Sequence, residues 1–408
     1  MPNPNAAATA LVSSGLATPH TLRILDVTKF YAAASGGVRT YLDTKMLDFA
    51  TRDLSHSLVI PAAAEAESVI GRTRVYRVKG PIVPVSPHYR FLTNERALRR
   101  IVERERPQVI EVGSPFLVPL LVRRAIRGLG IRTVGFYHSD LVRTYAEPLV
   151  RHRAAALARV VLRSLARELI KRVYRRFDVT VAASPAVVSE LRSLGIADVR
   201  CVPLGVDLDV FAPAEQSDVL RRRLAVPDGV PLAVYAGRFS TEKRLDVLIA
   251  GHASIPESQR PFLVLIGDGG LRDWLIARAK DQRRLAVLPF IPDRRDLARA
   301  YASADFYVAP GPGETFGLAI AEAMACGLPV VAVARGAAPD RIEGSGCGRL
   351  YAHGSARSCA SALLAMSAAL GPLLRDAARA HAERAFSWRV TFDRLCEIYA
   401  ELAAAPAR

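Results

Sequence analysis

The chain has 408 residues, half of them hydrophobic, and carries 56 Lys and Arg against 39 Asp and Glu, a formal net charge of +17. That length suits two domains of roughly 190 residues better than one core. The apolar runs are short, and stretches such as Phe116 to Val122 fall far below the ~20 residues of a membrane-spanning helix, so a soluble α/β protein is expected.

Residues 1–21 contain Ala, Thr, Ser and Pro but no Lys or Arg, and read as a disordered leader without the charged start of a secretory signal. The first domain, 22–203, opens with a β run from Arg23 to Thr28, a loop holding Gly36-Gly37, and a helical pattern from Val38. Strands are predicted at Ser57–Ile60, Arg74–Val78, Val109–Val112, Thr133–Tyr137, Val179–Ala182 and Val199–Val202, with helices between most of them, the pattern of a parallel sheet. Within it, Arg143 to Arg176 holds ten basic residues against Glu147 and Glu168. On a helical wheel Arg159, Arg163, Arg167, Lys171 and Arg175 form one stripe, and Leu162, Leu165, Leu169 and Val173 the opposite one. A solvated helix face explains this stripe, and so does docking on anionic lipid headgroups at ~1 kcal/mol per basic residue. Nucleic acid is not expected, because no aromatic residues interleave the charges.

Pro203-Leu-Gly-Val-Asp-Leu-Asp-Val-Phe-Ala-Pro213 reads as the join between domains. The second domain, 204–385, restarts at Pro231–Gly237, with strands predicted at Phe262–Ile266, Ala286–Phe290, Phe306–Ala309 and Pro329–Val333. A final helix is expected within 386–408. Two doubly wound domains facing each other leave a cleft at the carboxyl ends of their strands, where such sheets bind ligands. Five cysteines (Cys201, Cys326, Cys347, Cys359, Cys396) form no C-x-x-C pair, which fits reduced thiols in the cytoplasm.

The most informative stretch is Pro310-Gly-Pro-Gly-Glu-Thr-Phe-Gly-Leu318, followed four residues later by Glu322. A helix opening at about Phe316 would put Glu314 and Glu322 on one side, ~12 Å apart along the axis, with the free N–H groups of the first turn between them. One ligand with hydroxyls at both ends and a phosphate between would span that layout, and a nucleotide-sugar is such a molecule. The plainer reading is a capping acid and an exposed helix acid. Arg238 and Lys243, in Gly-Arg-Phe-Ser-Thr-Glu-Lys after a strand, would stabilise a departing diphosphate without a metal. Gly36-Gly37 permits close approach of backbone N–H groups to a phosphate, though a plain turn would use the same pair.

The Glu314/Glu322 pair resembles the E-x7-E signature of glycosyltransferase family 4, retaining enzymes of the GT-B fold. The Arg238/Lys243 element and the string from Pro203 to Pro213 are similar to further motifs of that family. The wording is closest to mannosyltransferases that extend phosphatidylinositol mannosides from GDP-mannose. The resemblance implies a fold of two Rossmann-like domains facing a cleft, with the last helix crossing back to brace the first. It implies Glu322 on the ribose hydroxyls, Glu314 on the sugar hydroxyls, and Thr315 with the backbone of Phe316, Gly317 and Leu318 near sugar or phosphate. Phe290 and Ile291 would line the base pocket, and Gly36, Gly37, Arg238 and Lys243 would hold the phosphates. His138 would lie beside the donor sugar in the family's H-x-D/E element, with Asp140 either part of it or a helix cap. Gly267 and Gly269 would shape the cleft wall.

No cofactor or metal is expected, the nucleotide-sugar being a substrate. Partners would be that donor, a lipid-linked or glycan acceptor, and an anionic membrane surface. Leu288-Pro-Phe-Ile-Pro292 lacks the glycine that many relatives have there, which leaves a UDP-glucose or UDP-galactose donor as the alternative. A basic membrane- or nucleic-acid-binding protein that has lost its chemistry is a further alternative.

Overall fold

The computed structural model describes residues 21–31, 36–84, 86–115, 117–138, 156–213 and 218–406. The leader through residue 20, Asp140, the loop Leu141–Pro148 and the side chain of Arg159 lie outside these.

The first sheet has eight strands: β1 (Leu22–Val27), β2 (Leu54–Ala62), β3 (Ala66–Ile70), β4 (Thr73–Lys79), β7 (Val109–Val112), β8 (Arg132–Tyr137), β9 (Val179–Ala182) and β10 (Val199–Cys201). Their order is β10-β9-β8-β7-β1-β2-β4-β3, parallel except for the β3–β4 hairpin. A separate antiparallel pair, β5 (Ile82–Val83) and β6 (Ser86–Arg90), follows the hairpin in sequence. The second sheet is parallel throughout: β13 (Leu285–Leu288), β12 (Phe262–Ile266), β11 (Leu232–Ala236), β14 (Phe306–Ala309), β15 (Val330–Val333) and β16 (Gly348–Tyr351), in that spatial order. Strands such as Val-Thr-Val-Ala, Phe-Leu-Val-Leu-Ile and Val-Val-Ala-Val are apolar at every or nearly every position and buried on both faces, because helices cover both sides.

The first domain's helices are α1 (Gly37–Phe49), α2 (Glu95–Glu105), α3 (Leu117–Ala125), α4 (Ala156–Tyr174) and α5 (Pro185–Ser193). The second carries α6 (Val219–Arg223), α7 (Leu245–Ser254), α8 (Arg272–Asp281), α9 (Arg294–Ala302), α10 (Leu318–Ala325), α11 (Ala338–Ile342), α12 (Ala356–Ala369) and α13 (Pro372–Ala385). The closing helix α14 (Trp388–Ala404) returns to pack on α1, β1 and β7.

The chain crosses between the sheets twice, and the two crossings run side by side. Val206 N donates to Phe386 O at 3.0 Å and Thr391 Oγ1 donates to Pro203 O at 2.8 Å. Gly205 permits this: a Cβ there would stand 2.2 Å from the Trp388 nitrogen.

Three local expectations need correction. The helix expected from about Phe316 starts at Leu318, after Gly317 in the left-handed region at φ 84°. Thus Glu314 lies in the loop before α10 and Glu322 in the middle of it, so a single helix does not set their spacing. The strand expected to run to Phe290 ends at Leu288. In α4, Leu165 and Leu169 are not inward: they are 62% and 40% exposed, while Ile170, Val173 and Tyr174 are buried. The sheet takes the face of Leu162, Ala166 and Ile170, and Leu165 lies about a quarter-turn round from it. Val160 and Val161 are exposed too. Among the described residues no single helix is long and apolar enough to cross a membrane.

Candidate active site

Each sheet reverses its strand order at one place, between β1 and β7 in the first and between β11 and β14 in the second. Ligands of open parallel sheets bind outside the strand ends at such switch points. Gly36 and Gly37 follow β1, Arg238 follows β11 and Glu314 follows β14. His138 follows β8, one strand further on.

Glu314 is held by its backbone. Its carbonyl accepts from Ala337 N at 2.9 Å, and Gly336, at φ 70°, brings that neighbouring loop close. A Cβ on Gly336 would meet Pro312 O at 2.6 Å and Glu314 O at 3.0 Å. The half-buried carboxylate accepts from Lys243 Nζ in an ion pair. Lys243 ends a 3₁₀ turn (Thr241–Lys243), and its stem passes where a Cβ on Gly311 would lie 3.1 Å from Lys243 Cδ. The glycine-proline loop before Glu314 therefore makes room for the lysine. Arg238 is exposed at the end of β11, and among the described residues its guanidinium has no hydrogen-bond or ion-pair partner. Gly237 N donates to Ile266 O and Phe239 N to Asp268 O, which zips this loop to the Gly267–Gly269 turn.

Glu322 is buried, at 9% exposure, and burial pushes its carboxyl up to about 7. The opposing influence is Arg294, whose Nη2 stands 4.0 Å from Glu322 Oε1. Tyr307, on β14, ties the two acids to one neighbourhood: burial pushes its phenol up, both carboxylates add to that, and its hydroxyl donates to Ala236 O at 3.1 Å. Between the acids, the N–H groups of Leu318 and Ala319 have no partner among the described residues, the usual state of a helix start and one that favours anions. Phe316 is buried under the Arg341 guanidinium, 4.6 Å from its ring centre, so only its backbone is available to a ligand. Phe290 is 62% exposed and Ile291 half-buried, in the segment that leads into Arg294.

The first domain meets this half directly. Thr315 Oγ1 donates to His138 O at 2.8 Å, and a Cβ on Gly37 would lie 3.6 Å from Leu318 Cδ2. The His138 ring stacks on Phe136 with centroids 4.0 Å apart and planes nearly parallel, and lies beside Tyr41. Burial, reinforced by the charge of Lys45, pushes its imidazole down to about 3, so the ring is neutral near pH 7. The structure thus gathers Gly37, His138, Thr315 and Leu318 at one point, with Glu314 beside Lys243 and Glu322 beside Arg294.

Two features escape sequence reasoning. Arg294 is one of several arginines in an Arg-rich chain, with no pattern to separate it. The second is a buried network behind His138. Lys45 Nζ, with no exposed surface, lies 2.8 Å from Asp26 Oδ1, 3.3 Å from Glu111 Oε2 and 3.0 Å from Tyr399 Oη. Tyr41 and Tyr399 both donate to Glu111, and His56 Nε2 lies 2.9 Å from Asp26 Oδ2. The single signal was Asp26 and Glu111 interrupting otherwise apolar strands.

Residues 35–210 match the family model described as Glycosyltransferase Family 4, and residues 216–371 that described as Glycosyl transferases group 1. A GDP-mannose-dependent alpha-(1-6)-phosphatidylinositol dimannoside mannosyltransferase of Mycobacterium tuberculosis is 33% identical over 318 residues, covering 76% of this chain and 79% of that protein. A GDP-mannose-dependent alpha-mannosyltransferase of the same species is 32% identical over 338 residues, 79% of this chain and 81% of the other. Among solved structures, sucrose-phosphate synthase from Thermosynechococcus elongatus has a TM-score of 0.75 at 20% identity, covering 94% of this chain and 100% of its own. Anabaena Alr3699/HepE in complex with UDP gives 0.68 at 18% identity, over 93% and 100%. At those identities the likeness concerns the fold.

Proposed function

Because the chain belongs to glycosyltransferase family 4 and has the GT-B fold, we propose that it moves mannose from GDP-mannose, with retained anomeric configuration, to a lipid-linked or glycan acceptor. That it is a glycosyltransferase follows from the family. The donor is read from the two M. tuberculosis relatives, each described as GDP-mannose-dependent.

The observation that carries the site assignment is the Lys243–Glu314 ion pair at the second sheet's switch point, with Glu322 buried one helix turn further on. In this reading Glu322 accepts hydrogen bonds from the ribose hydroxyls. Glu314 accepts from hydroxyls of the mannose, and Thr315 and the Leu318 and Ala319 N–H groups lie toward sugar and phosphate. Arg238 and Lys243 neutralise the diphosphate as the bond from the anomeric carbon to its oxygen breaks, a role that needs no metal in this reading. The acceptor oxygen then bonds to the anomeric carbon on the same face, and its proton passes to the departing phosphate oxygen. His138, neutral and braced on Phe136, offers a polar wall beside the reacting carbon and is not a source of charge.

Helix α4 supports a lipid-linked acceptor and a place at the membrane. Arg163, Arg167, Lys171 and Arg175, with Arg159 in the same stripe, and Val161, Leu165 and Leu169 exposed on the other flank give the helix both charge and apolar surface for the anionic inner face of the cytoplasmic membrane. The test is mass spectrometry of products formed from GDP-mannose and UDP-glucose with extracted lipids, followed by NMR of the new linkage. Transfer from GDP-mannose with an axial anomeric bond is expected. Transfer from UDP-glucose alone, or an inverted product, overturns the reading.

A further inference from the structure

Arg294 begins α9, immediately after Asp293, whose side chain caps that helix by accepting from Arg295 N and Asp296 N. Its side chain is 37% exposed, and a helix N-terminus does not favour a cation. The guanidinium lies over the ring of Phe211, 5.1 Å from its centre, and Phe211 is fully buried in the segment that joins the domains. A guanidinium on an aromatic face is held in orientation as well as in place. Its two terminal nitrogens then point at two different carboxylates: Nη1 is 3.8 Å from Asp207 Oδ2, and Nη2 is 4.0 Å from Glu322 Oε1. Both distances exceed hydrogen-bond range, so among the described residues Arg294 donates no hydrogen bond and keeps its donors for a third group.

The seat is rigid. Asp207 accepts from Asp209 N and Val210 N through its other oxygen, and Phe211 N donates to Asp207 O at 2.8 Å. From α13, Arg379 donates to Phe211 O and to Ala325 O, each at 2.8 Å, which fastens this segment to the end of the helix that bears Glu322. Elsewhere around Glu322 stand Tyr301, Tyr307 and Cys326, all kept neutral by burial, with Arg375 and Arg379 beyond Cys326. Arg294 is therefore the cation nearest the Glu322 carboxylate, and the interdomain segment holds it there.

We propose that Arg294 is the positioning residue of Glu322: seated on Phe211 and shared with Asp207, it holds the buried carboxylate ready for the nucleoside of the donor and ties donor occupancy to the segment between the domains. This rests on the donor-site reading above. Two consequences have opposite sign. Loss of Arg294 leaves Glu322 buried with no opposing charge, which raises its affinity for a proton. Loss of the Asp207 charge leaves the guanidinium to Glu322 alone, which lowers it. Only the ionised carboxylate offers both oxygens as acceptors to ribose hydroxyls.

The experiment measures binding of GDP, UDP and ADP by calorimetry from pH 5.5 to 8.5 in the wild type, Arg294→Met, Arg294→Lys and Asp207→Asn, with steady-state kinetics at pH 7.5. Arg294→Met is expected to weaken nucleotide binding on the order of tenfold at pH 7 and to move the acid limb of the affinity profile to higher pH. Asp207→Asn is expected to move that limb to lower pH, and Arg294→Lys to restore part of the limb position and less of the affinity. The losses should lie in KM for the donor more than in kcat. Limbs that coincide in all four proteins, or that move the same way in Arg294→Met and Asp207→Asn, overturn the proposal while leaving the donor site intact. A wild type that binds none of the three nucleotides overturns the donor-site reading itself, and this inference with it. Thermal unfolding of each variant separates loss of fold from loss of binding.

Discussion

Lys243 and Glu314, 71 residues apart, are joined by an ion pair across the ends of β11 and β14. The pairing satisfies both side chains when no donor is bound, and it sets lysine and acid side by side where a diphosphate and a sugar would meet. Half-buried charges of this kind contribute little net stability, so the pair is better understood as a poised site than as a strut. In the proposed reading, donor entry would replace the carboxylate with phosphate oxygens on the lysine and give the carboxylate hydroxyls instead.

Removal of either partner should therefore affect different parts of the reaction. Lys243→Met is expected to lower kcat about 10²–10³-fold, the usual effect of losing one group that stabilises developing negative charge. Glu314→Ala is expected to lower kcat for GDP-mannose while affinity for GDP, which lacks the sugar, stays within about twofold. Steady-state kinetics and calorimetry with GDP separate the two. Equal loss of GDP affinity in Glu314→Ala would place that acid on the nucleotide.

Glu322 should make the donor-free protein less stable at neutral pH. Its carboxyl sits near 7 when folded, against an ordinary 4.5, so the folded state binds the proton more tightly than the unfolded chain. Stability is then highest below about 4.5 and falls as pH rises through about 7, by about 3 kcal/mol in all. Glu322→Gln removes this term. It should unfold at higher urea than wild type at pH 8, match it near pH 4, and lose nucleotide binding. A variant less stable than wild type at pH 8 would show that ionised Glu322 is well compensated without ligand.

Much of this layout was legible in the sequence, and the parts that were not have physical causes. Continuous apolar runs such as Phe262–Ile266 and Val330–Val333 identify buried parallel strands at once, since both faces are covered. The β3–β4 hairpin was not legible, because β3 is largely exposed and has no alternation to reveal it. Gly317 reads as part of a helical motif, yet its positive φ delays the helix to Leu318 and moves Glu314 into a loop. Leu165 and Leu169 look inward on a wheel because leucine usually is. Ala166 takes the inward place, and a small side chain gives a weak periodic signal. Arg294 was not distinguishable because its role comes from Phe211 and Asp207, some 80 residues away.

His138 should contribute no limb to the pH–rate profile between 5 and 8. Its imidazole is held down near 3 by burial and by the charge of Lys45, so it stays neutral across that range. A depressed folded value also means stability is full above about 6.5 and is lost as pH falls toward 3. His138→Gln is expected to lower kcat without changing the profile's shape, and to soften the loss of stability in acid. An NMR titration of the His138 ring with a midpoint above 5.5 would contradict this.

The Lys45 network should act as the clasp of α14. Two buried carboxylates, Asp26 and Glu111, share one buried ammonium, and Tyr399 is the residue through which the last helix joins them. Lys45→Met leaves both acids without their cation and is expected to cost ~3–5 kcal/mol in urea unfolding. Tyr399→Phe removes hydrogen bonds to charged groups and is expected to cost ~1.5–3 kcal/mol. It should also expose α14 to limited proteolysis before the rest of the chain. Simultaneous cleavage throughout would show that α14 is secured by its apolar face instead.

The exposed leucines of α4 change what membrane attachment should look like. A helix whose apolar residues all face the sheet would bind lipid by charge alone, and ~0.15 M salt would screen much of that attraction. Here Val161, Leu165 and Leu169 are exposed beside Arg172, on the flank opposite Arg163 and Arg167, so apolar insertion would add to attraction. Flotation with vesicles containing about a third anionic phospholipid should capture the wild type, and a substantial fraction should remain bound at 0.5 M salt. Leu165→Ser with Leu169→Ser should leave binding at low salt but abolish the salt-resistant part. Arg163→Gln with Arg167→Gln should lower binding at low salt by about 2 kcal/mol. Both pairs are far from Glu314 and Glu322 in sequence and should leave transfer to a short-chain, water-soluble acceptor unchanged. Binding that vanishes at 0.15 M salt in the wild type would return α4 to the role of a solvated helix face.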